Sequence, residues 1–346
     1  SRNTMRALVT GATGFVGSHL VRALGERGHQ AVALHRASSK LDALAGLDYE
    51  STSGDVTDLE ALRTAAAGCD WVFHVAAVAA YWRSDKQHMF DVNVGGTQNV
   101  LQAAREADVK RVIFTSSAAA VGIRADGQPA DETVPFSLPP DQFPYGYSKA
   151  LAEIEVGRAV AAGQDVVTVN PVVIIGPGDL NMISGDFILQ MKRLSWTLPV
   201  PPGGVATIDV RDVARMHIAA AEHGRTGERY ILGAVNYPYS DWFNLIADVM
   251  GLPRPGFPVP AFALPIVATM VDRLRAAGIT VPIDGNQTRL GKERIYFDFG
   301  KAWDELGEPQ IDMRQSVEDT YRWYLEHGFI PDDPQSKLIE KIGRWL

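Results

Sequence analysis

The first half of the chain alternates short apolar runs with longer stretches of helical period. Arg6 to Thr10 is a brief apolar run, and Phe15 to Arg27 repeats apolar residues with the spacing of an amphipathic helix. Ala31 to His35 and a weaker Tyr49 to Ser53 follow as strands. Trp71 to Val75 is apolar almost throughout, as a central parallel strand covered on both faces must be. The spacing then predicts a long helix over Gln87 to Ala107, a strand over Arg111 to Thr115, a helix opening at Tyr145 and a strand over Asp165 to Asn170. Strands alternating with helices predict an α/β fold with a doubly wound parallel sheet. Between them, Gly28 is placed to end the first helix, and Thr57 with Glu60 predicts a capping box for the helix that follows.

After Ile175-Gly176-Pro177-Gly178 the rhythm stops, and Pro and Gly become frequent. Asp209 to His223 still reads as a sheet-covering helix and Glu228 to Leu232 as a last strand. The expected division is a dinucleotide-binding domain over 5–175, to which 209–235 returns, and a smaller lid over 176–208 and 236–346. The longest apolar run, Pro260 to Val271, is interrupted by Pro265 and is too short to cross a bilayer. It reads as a core helix or an apolar substrate wall.

Composition narrows the class. The 346 residues carry 33 Lys and Arg against 41 Asp and Glu, a net charge of −8. No basic run interleaved with aromatics suggests a nucleic acid partner. The single cysteine, Cys69, cannot pair within the chain and fits a reducing, cytoplasmic setting as a buried thiol. No signal-peptide pattern is visible, and Ser1 to Thr4 ahead of Met5 read as an added leader.

The chemistry begins at Thr10-Gly11-Ala12-Thr13-Gly14-Phe15-Val16-Gly17, between the first strand and the first helix. Three glycines let the backbone turn sharply and approach a pyrophosphate, while the helix N-terminus points amides and positive dipole at it. An acidic residue ending the second strand would bind the ribose 2′-hydroxyl of NAD. Here the stretch is His35-Arg36-Ala37-Ser38-Ser39-Lys40, whose cations and hydroxyls suit a 2′-phosphate, so NADP(H) is expected over NAD(H). Asp55, at a strand end, is placed either to meet the adenine or to form a turn. Ala76 and Ala77 are small enough to let the cofactor lie on the backbone. His74 reads as a satisfied core histidine rather than a ligand, and no metal site is expected.

Reducing a carbonyl needs a hydride for carbon and a proton for oxygen. Tyr145 and Lys149 are four apart on one helix face. A lysine ammonium close to the phenol lowers its pKa, which suits Tyr145 to proton transfer, and Ser117 at the adjacent strand end can orient the substrate oxygen.

These pieces, with Gly54-Asp55-Val56-Thr57-Asp58, His74-Val75-Ala76-Ala77, Thr115-Ser116-Ser117-Ala118, Tyr145-Gly146-Tyr147-Ser148-Lys149 and Asn170-Pro171, resemble an extended short-chain dehydrogenase/reductase over roughly residues 5 to 235. The likeness is strongest to the dihydroflavonol-4-reductase-like group, including bacterial members called hopanoid-associated sugar epimerases. Gly227-Glu228-Arg229-Tyr230-Ile231-Leu232-Gly233 and Ala125-Asp126-Gly127-Gln128-Pro129-Ala130-Asp131-Glu132 look like that bacterial subgroup. The resemblance implies a Rossmann fold with Ser117, Tyr145 and Lys149 as catalytic residues, and Asn93 placing Lys149 or a water. It implies cofactor contacts from Gly11, Thr13, Gly14, Phe15, Val16 and Gly17, from Arg36, Ser39 and Lys40, and from Asp55, Val56, Ala76, Ala77, Thr115 and Ser116. Tyr145 and Lys149 would hold the ribose side, and Pro171 with Val172 would border the nicotinamide. It also implies a homodimer through the helices Gln87–Ala107 and Tyr145–Ala162.

Dehydratases of the family carry an acid pair after the catalytic hydroxyl residue, whereas Ala118-Ala119 follow Ser117 here. Tyr81, Trp82, Met182, Ile183, Phe187 and Trp196 are expected to line the substrate region, with Arg83, Lys192, Arg193 and Arg211 as its nearby cations. Apolar aromatic walls suit a flat or greasy carbonyl better than a sugar nucleotide. The expected activity is NADPH-dependent reduction of an apolar or aromatic ketone or aldehyde. The alternatives are a nucleotide-sugar epimerase holding NAD tightly and an NADP(H)-binding regulator.

Overall fold

A computed structural model describes residues 4–79, 85–180, 185–278 and 285–330. Its strands are β1 (Arg6–Thr10), β2 (Gln30–His35), β3 (Glu50–Ser53), β4 (Trp71–His74), β5 (Arg111–Thr115), β6 (Val166–Pro171), β7 (Val173–Ile175), β8 (Pro199–Val200), β9 (Gly204–Asp209), β10 (Arg229–Leu232), β11 (Val235–Pro238) and β12 (Phe257–Pro258). The helices in the first half are α1 (Phe15–Glu26), α2 (Leu59–Ala66), α3 (Lys86–Phe90), α4 (Gly96–Glu106) and α5 (Pro144–Ala161). Those in the second half are α6 (Asp186–Leu194), α7 (Val210–His223), α8 (Tyr239–Met250), α9 (Leu264–Ala276), α10 (Gly285–Leu290), α11 (Gly300–Leu306) and α12 (Met313–Glu326).

Seven strands form one sheet in the order β3-β2-β1-β4-β5-β6-β10, with every neighbouring pair parallel. The order reverses between β1 and β4, so the crevice for a ligand opens above the C-terminal ends of those two strands. Alternation of side chains builds two cores from the same strands. Ala7, Val9, Phe73 and Ile113 face α1, α7 and α11, while Leu8, Val72, Val112 and Phe114 face α2, α4 and α5. Phe73 and Phe114 are fully buried on opposite faces, each contributing about 1.5–3 kcal/mol relative to exposure.

The remaining strands make a three-stranded sheet, β11-β9-β7, and a short pair, β12 with β8. A third core lies beneath them, where Trp242, Phe243 and Ile246 of α8 meet Ile188 and Met191 of α6 and Val317 and Tyr324 of α12.

Three local expectations are corrected. The cap of α2 is Asp58, whose carboxylate accepts from the Glu60 and Ala61 amides, while the Thr57 hydroxyl donates to Asp55 instead. A carboxylate one position later outcompetes the Thr57 capping box because Thr57 is already engaged in the Asp55 turn. The helix over Gln87 to Ala107 is continuous but widens to π geometry at Asp91–Gly95, between α3 and α4. The apolar run Pro260 to Val271 is only half core. Leu264, Ala268 and Val271 of α9 point inward, while Phe262, Ile266 and Met270 are 79%, 70% and 61% exposed. No helix among the described residues is long and apolar enough to cross a membrane.

Candidate active site

The turn from β1 into α1 leaves no room for side chains at Gly11 and Gly17. Gly11 has φ +66°, and a Cβ there would stand 2.8 Å from the Ala76 Cα on β4's exit. A Cβ on Gly17 would stand 2.1 Å from the Gly11 carbonyl oxygen, so α1 packs directly on the turn. No side chain caps α1 at Gly14, and its first turn holds no acid. Unshared amides and the positive dipole end therefore open on a cavity of about 830 Å³, lined there by Gly11, Thr13, Gly14, Phe15, Val16 and Gly17. This cradle fits a pyrophosphate.

From there the cavity runs along the sheet. Arg36 and Ser39 line one end, together with Asp55 and Val56. Lys40 does not line it, because the turn closed by Ser39 N–H on the Arg36 carbonyl directs the chain away beyond Ser39. Asp55 is engaged in a turn as well as facing the cavity, one oxygen accepting from both the amide and the hydroxyl of Thr57. Ala76, Ala77, Thr115, Ser116, Pro171 and Val172 line the middle. The Ser116 hydroxyl, however, turns beneath the site and donates to Glu153 at 2.5 Å.

Ser117, Tyr145 and Lys149 meet on this cavity because β5 ends at the sheet's C-terminal edge where α5 begins. Burial pushes the Tyr145 phenol above its ordinary value, and a hydrogen bond with Ser117 acts weakly the other way. The lowering expected from Lys149 is not among the influences on the phenol here. Lys149 directs its ammonium at the Thr115 carbonyl, 2.8 Å away, and lies 5.1 Å from the Phe114 ring centroid. Burial draws Lys149 down to about 8, opposed by the charge of Glu153 one turn further along α5. Tyr145 is accordingly a phenol at neutral pH, and Lys149 remains largely charged.

Asn93 does not hydrogen-bond Lys149. Its amide grips the Val78 backbone from both sides, accepting from the N–H at 2.8 Å and donating to the carbonyl at 3.1 Å, and also donates to the Ser148 hydroxyl at 3.0 Å. Ser148 in turn donates to the Tyr145 carbonyl at 2.7 Å. The π segment places Asn93 between the cavity loop after β4 and the first turn of α5. His74 is a satisfied core residue between the Thr10 and Thr97 hydroxyls, 2.8 and 3.0 Å away, and burial lowers it to about 3. Thr97 donates to the Asn93 carbonyl and Thr10 accepts from the Val75 and Ala76 amides. These bonds require His74 to carry its proton on Nε2.

At the far end the walls are apolar: Phe187, Val205, Leu290, Ile295 and Phe297, with Tyr239 beside them. Phe187 packs on Trp242 and Phe243 as it lines the cavity. Trp196 is not among the lining residues and leans on Phe257 instead, with ring centroids 5.5 Å apart. Tyr81, Trp82, Arg83, Met182 and Ile183 lie outside the described residues. Arg211 is not open to a substrate anion, because its guanidinium holds Asp209 and Asp319, each at 2.8 Å. Tyr239, Leu290, Ile295 and Phe297 carry no local sequence signal. Glu153 has one, since it continues the 145–149 spacing by four.

The sheet order, the tightly packed glycine turn and the crevice above β1 and β4 define a dinucleotide-binding protein of the Rossmann type. More narrowly, the chain belongs to the NAD dependent epimerase/dehydratase family, whose model matches residues 7–233. This family comprises enzymes acting on CH–OH and C=O groups with a nicotinamide cofactor. A dihydroflavonol 4-reductase-like protein of Synechocystis sp. is 39% identical over 93% of this chain and 95% of its own length. Sterol demethylase protein B of Methylococcus capsulatus is 34% identical over 94% of this chain and the whole of its own. The crystal structure of gox2253 superposes with a TM-score of 0.83 at 36% identity, covering 94% of this chain and all of that one.

Proposed function

We propose that this protein is an NADPH-dependent reductase of an apolar ketone or aldehyde. The observation that carries the reading is the charge of the cavity. Among the described residues lining it, the only Lys and Arg are Arg36, at the adenosine end, and Lys149, at the reacting centre. The described residues of the apolar far wall offer no cation to a sugar-nucleotide diphosphate, and burying an unpaired diphosphate against them is costly. The similarity to a sterol demethylase protein agrees with an apolar polycyclic substrate.

In this reading, residues 5–175 and 209–235 hold the cofactor, and 176–208 with 236–346 close over the substrate. The glycine turn holds the pyrophosphate, and Arg36 and Ser39 hold the 2′-phosphate. Bound there, the nicotinamide supplies the hydride. Ser117 orients the substrate oxygen, Tyr145 gives that oxygen its proton, and Lys149 steadies both the ribose and the phenolate left behind.

Denaturing the purified protein, identifying any released nucleotide and following NADPH oxidation by absorbance tests this. We expect exchangeable NADP(H) and turnover with aromatic, aliphatic or steroidal carbonyls. A stoichiometric NAD that does not exchange, together with interconversion of nucleotide sugars, would overturn it in favour of an epimerase. Nucleotide binding without turnover on either panel would leave only a regulator.

We also propose a homodimer through α3 to α5. Ile154 is 52% exposed there, with Phe90, Val94, Tyr147 and Leu151 half-buried beside it. A dimer mass by light scattering at micromolar concentration is the expected result, and a monomer mass sinks the idea.

A further inference from the structure

One turn of α5 beyond Lys149, a single carboxylate joins the ends of three strands to the helix. Glu153 is 14% exposed at its side chain. Its Oε1 accepts from the Ser116 hydroxyl at 2.5 Å and from the Asn170 amide at 2.7 Å. Its Oε2 lies 3.1 Å from the Arg229 Nε. Asn170 also donates to the Ser117 carbonyl at 3.0 Å, so the same group reaches the backbone of the residue that faces the substrate oxygen. Arg229 is held from its other side by the Glu132 carbonyl at 3.1 Å. A carboxylate so enclosed is costly to bury unless its charge is used, and here it stands one helical turn from the buried ammonium of Lys149.

We propose that Glu153 is a positioning residue of the active site, which ties the end of β5 to β6 and β10 through Ser116, Asn170 and Arg229 and sets an anion one helical turn from the Lys149 ammonium. The inference rests on the catalytic reading of Lys149 given above.

Among the described residues, few charged or titratable groups face Lys149. From α5 it meets Tyr145, a phenol, and Glu153. From β4 it faces His74, neutral through burial. From β5 it meets the Thr115 carbonyl and the Phe114 ring. Arg229 on β10 is engaged with Glu153. Glu153 is therefore the anion that opposes the burial of Lys149. The sign follows directly. Burial has brought the lysine down to about 8, so it is charged below that pH and loses its charge as pH rises through it. Removing Glu153 lowers the midpoint further and brings the loss into the neutral range.

The test is Glu153→Gln, isosteric and neutral, in the full chain. Side-chain NMR of 13Cε-lysine-labelled protein, with Lys149 assigned by Lys149→Arg, reads the titration without any substrate. We expect the Lys149 midpoint to fall by about one pH unit relative to wild type, the size a lost charge partner at short range commonly produces. The alkaline limb of the carbonyl-reduction pH profile should move to lower pH by a similar amount. Glu153→Asp keeps the carboxylate but withdraws it by one methylene, and should lower the midpoint by less. An unchanged midpoint in whichever of these variants folds overturns the inference. If wild type reduces no carbonyl, the reductase reading fails while the NMR titration still decides the role of Glu153.

Discussion

Tyr145→Phe is expected to lower carbonyl reduction by about 10²–10⁴-fold while NADPH binds as in wild type. The size follows from what the hydroxyl does. It stands at the first turn of α5, on the cavity, hydrogen-bonded with Ser117. Burial raises the phenol above its ordinary value, so at neutral pH the proton is in place to be given. Phenylalanine keeps the ring and its packing but has no proton for the substrate oxygen. Lys149 cannot substitute, because its ammonium is directed at the Thr115 carbonyl. Steady-state kcat, a fluorescence titration of NADPH and a thermal melt separate the outcomes. A kcat within threefold of wild type, with the fold intact, would show that the proton comes from elsewhere.

The second large effect is expected in the β1–α1 turn. Gly17→Ala adds a methyl group 2.1 Å from the Gly11 carbonyl oxygen and 2.9 Å from the Ala12 Cα. All its nearest neighbours are backbone, so relief requires α1 to move off the turn. We expect a loss of about 1–3 kcal/mol in stability from overpacking, with dinucleotide binding abolished as the Phe15 and Val16 amides move with the helix. Gly25, in the same helix, is the control. Its added Cβ would meet nothing within 4 Å, so Gly25→Ala should stabilise by about 0.5–1 kcal/mol through helix propensity and leave binding unchanged. Equal behaviour of the two variants in urea melts and cofactor titrations would refute the steric account of the turn.

Some of the site was visible before any fold was known, and the division is instructive. The strand ends at Thr10 and Thr115, the glycine turn and the Tyr145–Lys149 spacing were all readable along the chain. Each is a local property: strand and helix periods follow from backbone geometry, and a tight turn demands glycine wherever it falls. The family likeness added the roles of these residues because its motifs are local in the same sense.

What failed to show in the chain depended on distant segments meeting. Arg211 looked available to a substrate anion, yet Asp319 on α12 and Asp209 beside it hold it fully. Lys149 was expected to lower the Tyr145 pKa, but its ammonium is directed at the Thr115 carbonyl at the end of β5. Asn93 was expected to place Lys149 or a water, and the π segment delivers its side chain to Val78 and Ser148.

The sequence by itself therefore determined the parallel sheet, the glycine turn and the placing of Tyr145 and Lys149 on one helix face, since short-range sterics and hydrogen bonding leave those stretches few alternatives. Only the tertiary structure decided which charges are spent on one another, which apolar residues from β9, α8 and α10 wall the far end of the cavity, and that Glu153 sits buried against Ser116, Asn170 and Arg229. Those pairings arise from long-range approach in a low-dielectric interior, where the energy of a charge depends on what the fold brings beside it and not on its neighbours in the chain.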